Sequence, residues 1–340
     1  MSTSPLSTSP LSTSPSPRAP RWRMALLAAA AWLLPGAALA DTPLKQTVCS
    51  FSGMIDELRD ALKSGSPAYR KYARERLRAA ARVMPVNELR AAVQGERDPD
   101  MLEALGAALA SKSAFTEDAT LVQPLLTRAA GDTDPQARAA AVRALRGTGS
   151  VDLMARNGGA VTYEQLIRDS APEVRQAVVD NLLHESAKVY FGHERSVSEA
   201  AVATALAAKD PQAAARLLSE VSMEAVGHDT VERLRGQLRA EDPVLRGAAA
   251  TALGGVPGPE APAMRQALVS LYREDKDPAV RKAALQGLVR LGMGGSRATL
   301  ESLRGVAPGL DPEIDAWRSA LELGLQEWHL LLREKQKSRP

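Results

Sequence analysis

The chain has 340 residues, 43 of them lysine or arginine against 40 aspartate or glutamate, and aromatic residues make up only 4%. A single cysteine, Cys49, excludes an intramolecular disulfide framework. Abundant alanine favours helix because it loses no side-chain entropy there, and the shortage of bulky side chains implies thin, closely packed helical layers rather than one thick core.

Residues 1–17, MSTSPLSTSPLSTSPSP, repeat Ser-Thr-Ser-Pro-Leu and are too polar to build a packed structure. Arg18, Arg21 and Arg23 follow, then the apolar run MALLAAAAWLLPGAALA, ending in Ala38-Leu39-Ala40. A positive flank, a short apolar run and an Ala-x-Ala ending predict a secretory signal peptide cleaved before Asp41, hence a periplasmic or secreted protein. Translation from Met24 instead of Met1 would keep the apolar run. The run is short for a bilayer span and no second stretch is longer, so the mature chain is expected to have no membrane span. Residues 1–40 hold three arginines and no acid, which leaves 40 basic and 40 acidic residues after cleavage. Net charge therefore gives no reason to expect a nucleic-acid partner.

Residues 41–52 form a short N-terminal segment in which Cys49 sits within QTVCSF. It lies past the cleavage point and follows valine, which argues against lipid anchoring. Cys49 reads as a packed apolar residue or as a thiol for an intermolecular partner.

From residue 53 the chain repeats itself. Prolines 67, 99, 135, 172, 211, 243, 278 and 312 open similar stretches, among them DPQARAAAVRAL from Asp134 and DPAVRKAALQGL from Asp277. The eight prolines are spaced by 32 to 39 residues. Aspartate before the proline is an N-cap, and proline suits the first helical position because its missing donor would be unpaired there anyway. Apolar residues two, five, six, nine and ten places beyond the proline form a helical stripe. The tenth is leucine in six copies: Leu77, Leu109, Leu145, Leu182, Leu253 and Leu288. Between copies lie candidate second helices beginning at Val86, Thr162, Ser198, Thr230, Ala263 and Ala298. The unit is a helical hairpin of about 35 residues, and stacked hairpins make an all-α solenoid of about eight units spanning residues 53–325. Residues 326–340 are expected to end a capping helix and run into a basic, frayed tail.

The pattern Asp-Pro-x-Val-Arg-x-x-Ala-x-x-x-Leu resembles HEAT repeats, specifically the short form named after phycobilisome lyases. The resemblance implies an α-superhelix whose function is binding. It also implies a ladder between units, built from Asp98, Asp134, Asp210, Asp242, Asp277 and Asp311 with Arg70, Arg138, Arg175, Arg246 and Arg281. Some HEAT-repeat proteins are enzymes, and deoxyhypusine hydroxylase holds two irons on repeated His-Glu pairs. Here only His184-Glu185 and His193-Glu194 occur, at positions that do not match between repeats, so no metal and no cofactor are expected. Nothing marks a bilin-lyase chromophore site, a phosphate loop or a nucleophile elbow.

Function is sought where copies deviate from the repeat. YRKYARERLRAAAR, residues 69–82, carries Arg74 and Arg78 among six cations, with Glu75 as its only acid. It reads as a solvated solenoid end or as a site for an anionic partner, either an acidic protein or an envelope component. Tyr190, Phe191 and His193 fall in the longest interval between prolines, as a loop contact or as aromatics tucked over the neighbouring hairpin. Trp317 and Trp328, with Leu321, Gly324 and Leu332, fall on one face of a single C-terminal helix. They close the last hairpin or dock a partner. The sequence predicts an exported, non-enzymatic scaffold for a protein partner, with a metal-dependent oxidoreductase, a bilin-lyase-like enzyme and a structural spacer as alternatives.

Overall fold

The computed structural model describes residues 50–187 and 194–337. The predicted leader, Cys49, Tyr190, Phe191 and His193 lie outside the described residues. Contacts divide the chain into residues 1–46 and residues 47–340, and every element below belongs to the second unit. Its described residues form helices and short turns, with no strand among them.

Eight helices begin at or next to the repeated prolines: α2 (Pro67–Ala81), α4 (Pro99–Thr116), α6 (Pro135–Ala144), α9 (Pro172–Ser186), α11 (Pro211–Glu220), α13 (Pro243–Leu253), α15 (Pro278–Gly292) and α17 (Asp311–Glu322). The predicted caps are in place for five of them. Asp98, Asp134, Asp210, Asp242 and Asp277 each accept a hydrogen bond from an N–H in the first turn of the helix they precede. Asp311 departs from the pattern: it lies inside α17, and its carboxylate accepts the Gly305 N–H at 3.0 Å. The short turn before α17, residues 308–310, moves the helix start one residue ahead of the proline.

Each of these helices packs on the next, so that α2, α4, α6, α9, α11, α13, α15 and α17 form one continuous layer. The second layer consists of α1 (Phe51–Lys63), α3 (Val86–Gly95), α5 (Gln123–Gly131), α7 (Ser150–Arg156), α8 (Tyr163–Leu166), α10 (Glu194–Ala207), α12 (His228–Gly236), α14 (Ala261–Glu274) and α16 (Arg297–Leu303). The core lies between the layers. Leu77, Leu109, Leu145, Leu182, Leu253 and Leu288 are all buried in it, as the repeat requires.

Small residues set the separation within the proline layer. A Cβ on Gly254, the residue that caps the end of α13, would stand 2.5 Å from the Gly287 carbonyl oxygen of α15. One on Gly106 of α4 would meet Ala144 of α6 at 2.7 Å. At such separations a methyl group cannot be accommodated without moving a helix. Alanine and glycine therefore define how the units stack as well as favouring helix.

Two expectations are corrected. The single second helix expected from Thr162 is a pair, with a seven-residue α7 and a four-residue α8 flanking Gly158 and Gly159, both at positive φ. The two glycines make a turn that L side chains adopt at a cost. The C-terminal helix is likewise broken. α17 ends at Glu322, Gly324 turns the chain at φ +67°, and α18 (Trp328–Lys337) folds back on α17. The tail does not simply fray: Lys335 is buried and paired with Glu313.

Replacing Gly254 with alanine should destabilise the chain by about 1–3 kcal/mol, the usual cost of overpacking a tight contact. Urea unfolding monitored by circular dichroism checks this; an unchanged midpoint would show that α13 and α15 can separate freely.

Candidate binding surface

The units are fastened by arginines, but not on the register expected. Arg138 of α6 donates through Nε and Nη2 to both oxygens of Asp169 in the next unit, at 2.8 and 2.9 Å. Arg246 of α13 makes the same fork with Asp275, at 2.6 and 3.1 Å. Asp169 and Asp275 stand three residues before their prolines, two before the cap position. The cap carboxylates are occupied by helix N–H groups, whereas the residue two positions earlier sits in the turn beside the preceding unit. Arg175 follows the expected register, reaching the cap Asp210 at 3.3 Å, because Ala208 stands where the acid would be.

The other donors of these arginines tie down their own unit. Arg138 bonds the Asp132 carbonyl, Arg175 those of Asp169 and Ser170, Arg246 those of Ala240 and Glu241, and Arg281 that of Asp275. Arg281 finds no carboxylate in the next unit, where Gly309 holds the equivalent position. Arg70 makes no ion pair among the described residues: Glu96, its counterpart, accepts the N–H groups of Arg97 and Asp98 and lies 3.5 Å from Arg59. Burial alone would raise the carboxyls of Asp132, Asp169 and Asp275. Hydrogen bonds from an arginine and a turn N–H, with the arginine charges beside them, outweigh it and hold all three below the usual range.

Two further anchors are absent from the repeat pattern. Lys112 of α4 is buried, and its Nζ donates to the carbonyls of Ala81, Arg82 and Met84 at 2.8–3.0 Å. It closes the C-terminus of α2, where a cation meets both unpaired carbonyls and the negative end of the helix dipole. In the α7–α8 region Ser150, Tyr163, Asn181 and Glu185 form a buried network, with Ser150 Oγ donating to Glu185 at 2.6 Å. Burial first, and then the charge of Glu185, push the Tyr163 hydroxyl well above its ordinary range, so it stays protonated as a donor.

The proline-helix layer has an open face crossed by ion pairs between units. Glu103 of α4 lies between Arg74 of α2, 3.9 Å away, and Arg143 of α6, 2.8 Å away. Asp180 of α9 lies between Arg146, in the turn after α6, at 3.9 Å and Arg216 of α11 at 2.8 Å. Cations exceed acids at the α2 end. A groove there of about 290 Å³ is lined by Arg74, Arg78, Arg143, Arg146 and His184 over Ala104 and Ala107, with Glu103 as the only acid. An adjoining groove of about 370 Å³ follows α2 past Arg70, Arg74 and Arg78. The structure thus brings Arg74 and Arg78 together with basic residues two units away, a convergence that sequence spacing alone does not reveal.

The other predicted surface residues fare differently. Trp317 is fully buried and stacks on Trp328 with ring centroids 5.8 Å apart, while Lys335 Nζ sits 4.9 Å over the Trp317 ring. Trp317 is therefore part of the core and not a dock, because the turn at Gly324 brings Trp328 over it. Trp328 is half-buried, with the Arg290 guanidinium 5.8 Å from its ring. Among the described residues no group of three or more His, Cys, Asp or Glu side chains is placed to hold a metal ion, and no helix is long and apolar enough to cross a membrane.

Stacked hairpins fastened unit to unit define a repeat scaffold of the α-solenoid class. Residues 188–288 and 231–322 match the model of HEAT repeats. That stretch of the chain consists of HEAT repeats, and such repeats commonly mediate protein interaction. No curated protein matches it. Among solved structures, the crystal structure of an engineered protein is similar over 84% of this chain and 98% of its own, at 16% identity and a TM-score of 0.32.

The lowered carboxyls fix the direction of the pH dependence. The folded chain binds fewer protons at Asp169 and Asp275 than the unfolded chain, so their contribution is present above the ordinary carboxylate pKa of about 4 and is lost as pH falls through the lowered values. Asp275→Asn should cost about 2 kcal/mol at neutral pH, as removing a hydrogen bond to a charged group does. The difference from the parent should shrink in acid, as read by thermal melts across pH; a difference that grew on acidification would contradict the assignment.

Proposed function

We propose that this protein is an exported scaffold that binds a macromolecular partner along the open face of its proline-started helices, and that it carries out no chemistry of its own. The observation behind this reading is the face itself, a surface crossing α2, α4, α6, α9 and α11 whose alternating charges are shared between units. A surface of this kind offers many modest contacts held in fixed relative positions, so that little ordering is needed on binding. Export rests on residues 18–40, with their basic flank, apolar run and Ala-x-Ala ending. A periplasmic or extracellular location follows from the same segment, and the partner is a protein or another anionic component of the envelope.

The test is affinity capture with the full chain expressed in an exporting cell, crosslinked in the envelope and read by mass spectrometry. Beside it runs a double variant, Arg74→Glu with Arg78→Glu. A partner captured by the parent and lost from the variant, together with a mature N-terminus at Asp41, is the expected result. Retention of an uncleaved chain in the cytoplasm would overturn the export reading, and equal capture by both proteins would move the binding surface elsewhere.

A further inference from the structure

We propose that the groove between α2 and α6, floored by α4, binds a carboxylate-rich peptide segment; the inference rests on the scaffold reading above and names the chemistry of its partner. Arg74 and Arg78 stand one helical turn apart on α2 and Glu103 and Ala107 one turn apart on α4, while Arg143 lies in the last turn of α6 and Arg146 follows in the turn just past it. All six line one groove. At the first level the protein supplies its own carboxylate, and Glu103 lies between Arg74 and Arg143. At the second level Ala107 supplies none.

The cations at that second level are left with capacity to bind. Arg78 is exposed and has neither an ion pair nor a hydrogen bond among the described residues. Arg146 uses Nε on Asn181 and stands 3.9 Å from Asp180, which leaves part of its fork open. A carboxylate entering over Ala107 would repeat the Glu103 arrangement one turn on, in the planar geometry that guanidinium groups match best. The row Arg70, Arg74, Arg78 continues the site along α2. Its members recur every roughly 6 Å along the helix axis, close to the roughly 6.7 Å between alternate side chains of an extended peptide.

The same geometry disfavours other polyanions. Neither groove has a Phe, Tyr or Trp in its lining to form a stacking platform for successive bases, since Tyr69 and Tyr72 are not part of it, and His184 is the one aromatic ring there. The site is a recess with an alanine floor, which a planar array of lipid headgroups enters poorly.

The experiment titrates the full chain against a fluorescein-labelled oligoglutamate peptide by anisotropy at several salt concentrations. Oligolysine, phosphatidylglycerol vesicles and a single-stranded oligonucleotide are run in parallel. Arg78→Glu changes an exposed side chain and should weaken oligoglutamate binding about tenfold or more, with a shallower salt dependence. Ala107→Glu places a carboxylate where the peptide's would sit; it should reduce binding as far while leaving the melting temperature equal or higher. Oligoglutamate binding that neither substitution alters would overturn the proposal. Vesicles or oligonucleotide bound in preference to the peptide would also overturn it, in favour of those classes. If the peptide fails to bind while the envelope capture still yields a partner lost on charge reversal, the scaffold reading stands and the acidic-peptide assignment falls.

Discussion

A hairpin of about 35 residues cannot bury its own apolar stripe, and everything else in this molecule depends on the next hairpin doing so. The neighbour must come close enough to exclude water from a layer built largely of alanine. That closeness is obtained by leaving out side chains: at Gly254 against Gly287, and at Gly106 against Ala144, there is no room for a methyl group. Helices packed this tightly along their length have little freedom to slide. The thin, aromatic-poor composition is thus a geometric requirement of the stack.

Close stacking leaves the ends of the helices to be reconciled, and here charge does what apolar contact cannot. Four arginines three places after a proline, Arg138, Arg175, Arg246 and Arg281, bond carbonyls of their own turn, and Arg138 and Arg246 also fork onto a carboxylate of the unit that follows. Each fork is bidentate, so it fixes orientation as well as distance. These groups are mostly buried and serve the architecture. The cations of the α2 end belong to the open face instead, which is why they lack full compensation within the chain.

Much of this was legible in the sequence. Asp-Pro caps and the leucine ten places on follow from local chemistry with a fixed period; seven of the eight proline helices start on the proline and the eighth one residue before it. What resisted reading depends on three-dimensional neighbours. The acids three before the proline, Glu96, Asp132, Asp169 and Asp275, were visible as residues, but choosing them over the cap aspartates requires knowing which carboxylate the helix N–H groups already occupy. Lys112 looks like any helical lysine until the end of α2 is placed beside it. Gly324 falls where a helical wheel would simply continue, and only its positive φ reveals that Trp317 and Trp328 stack as two helices. Arg74 and Arg78 were readable as a basic run, whereas the approach of Arg143 and Arg146 from two units away was not.

The returning helix α18 has a bearing on solubility. A stack of near-identical units has no intrinsic length, since the surface that receives one unit is offered again by the last. Two chains could then join tail to head and grow into a filament, the outcome of any head-to-tail contact that does not close on itself. By laying Trp328 over Trp317 and Lys335 against Glu313, the chain covers its own terminal surface with residues that no incoming repeat carries at those positions. A further unit arriving at this end would meet α18 and not the bare face of α17.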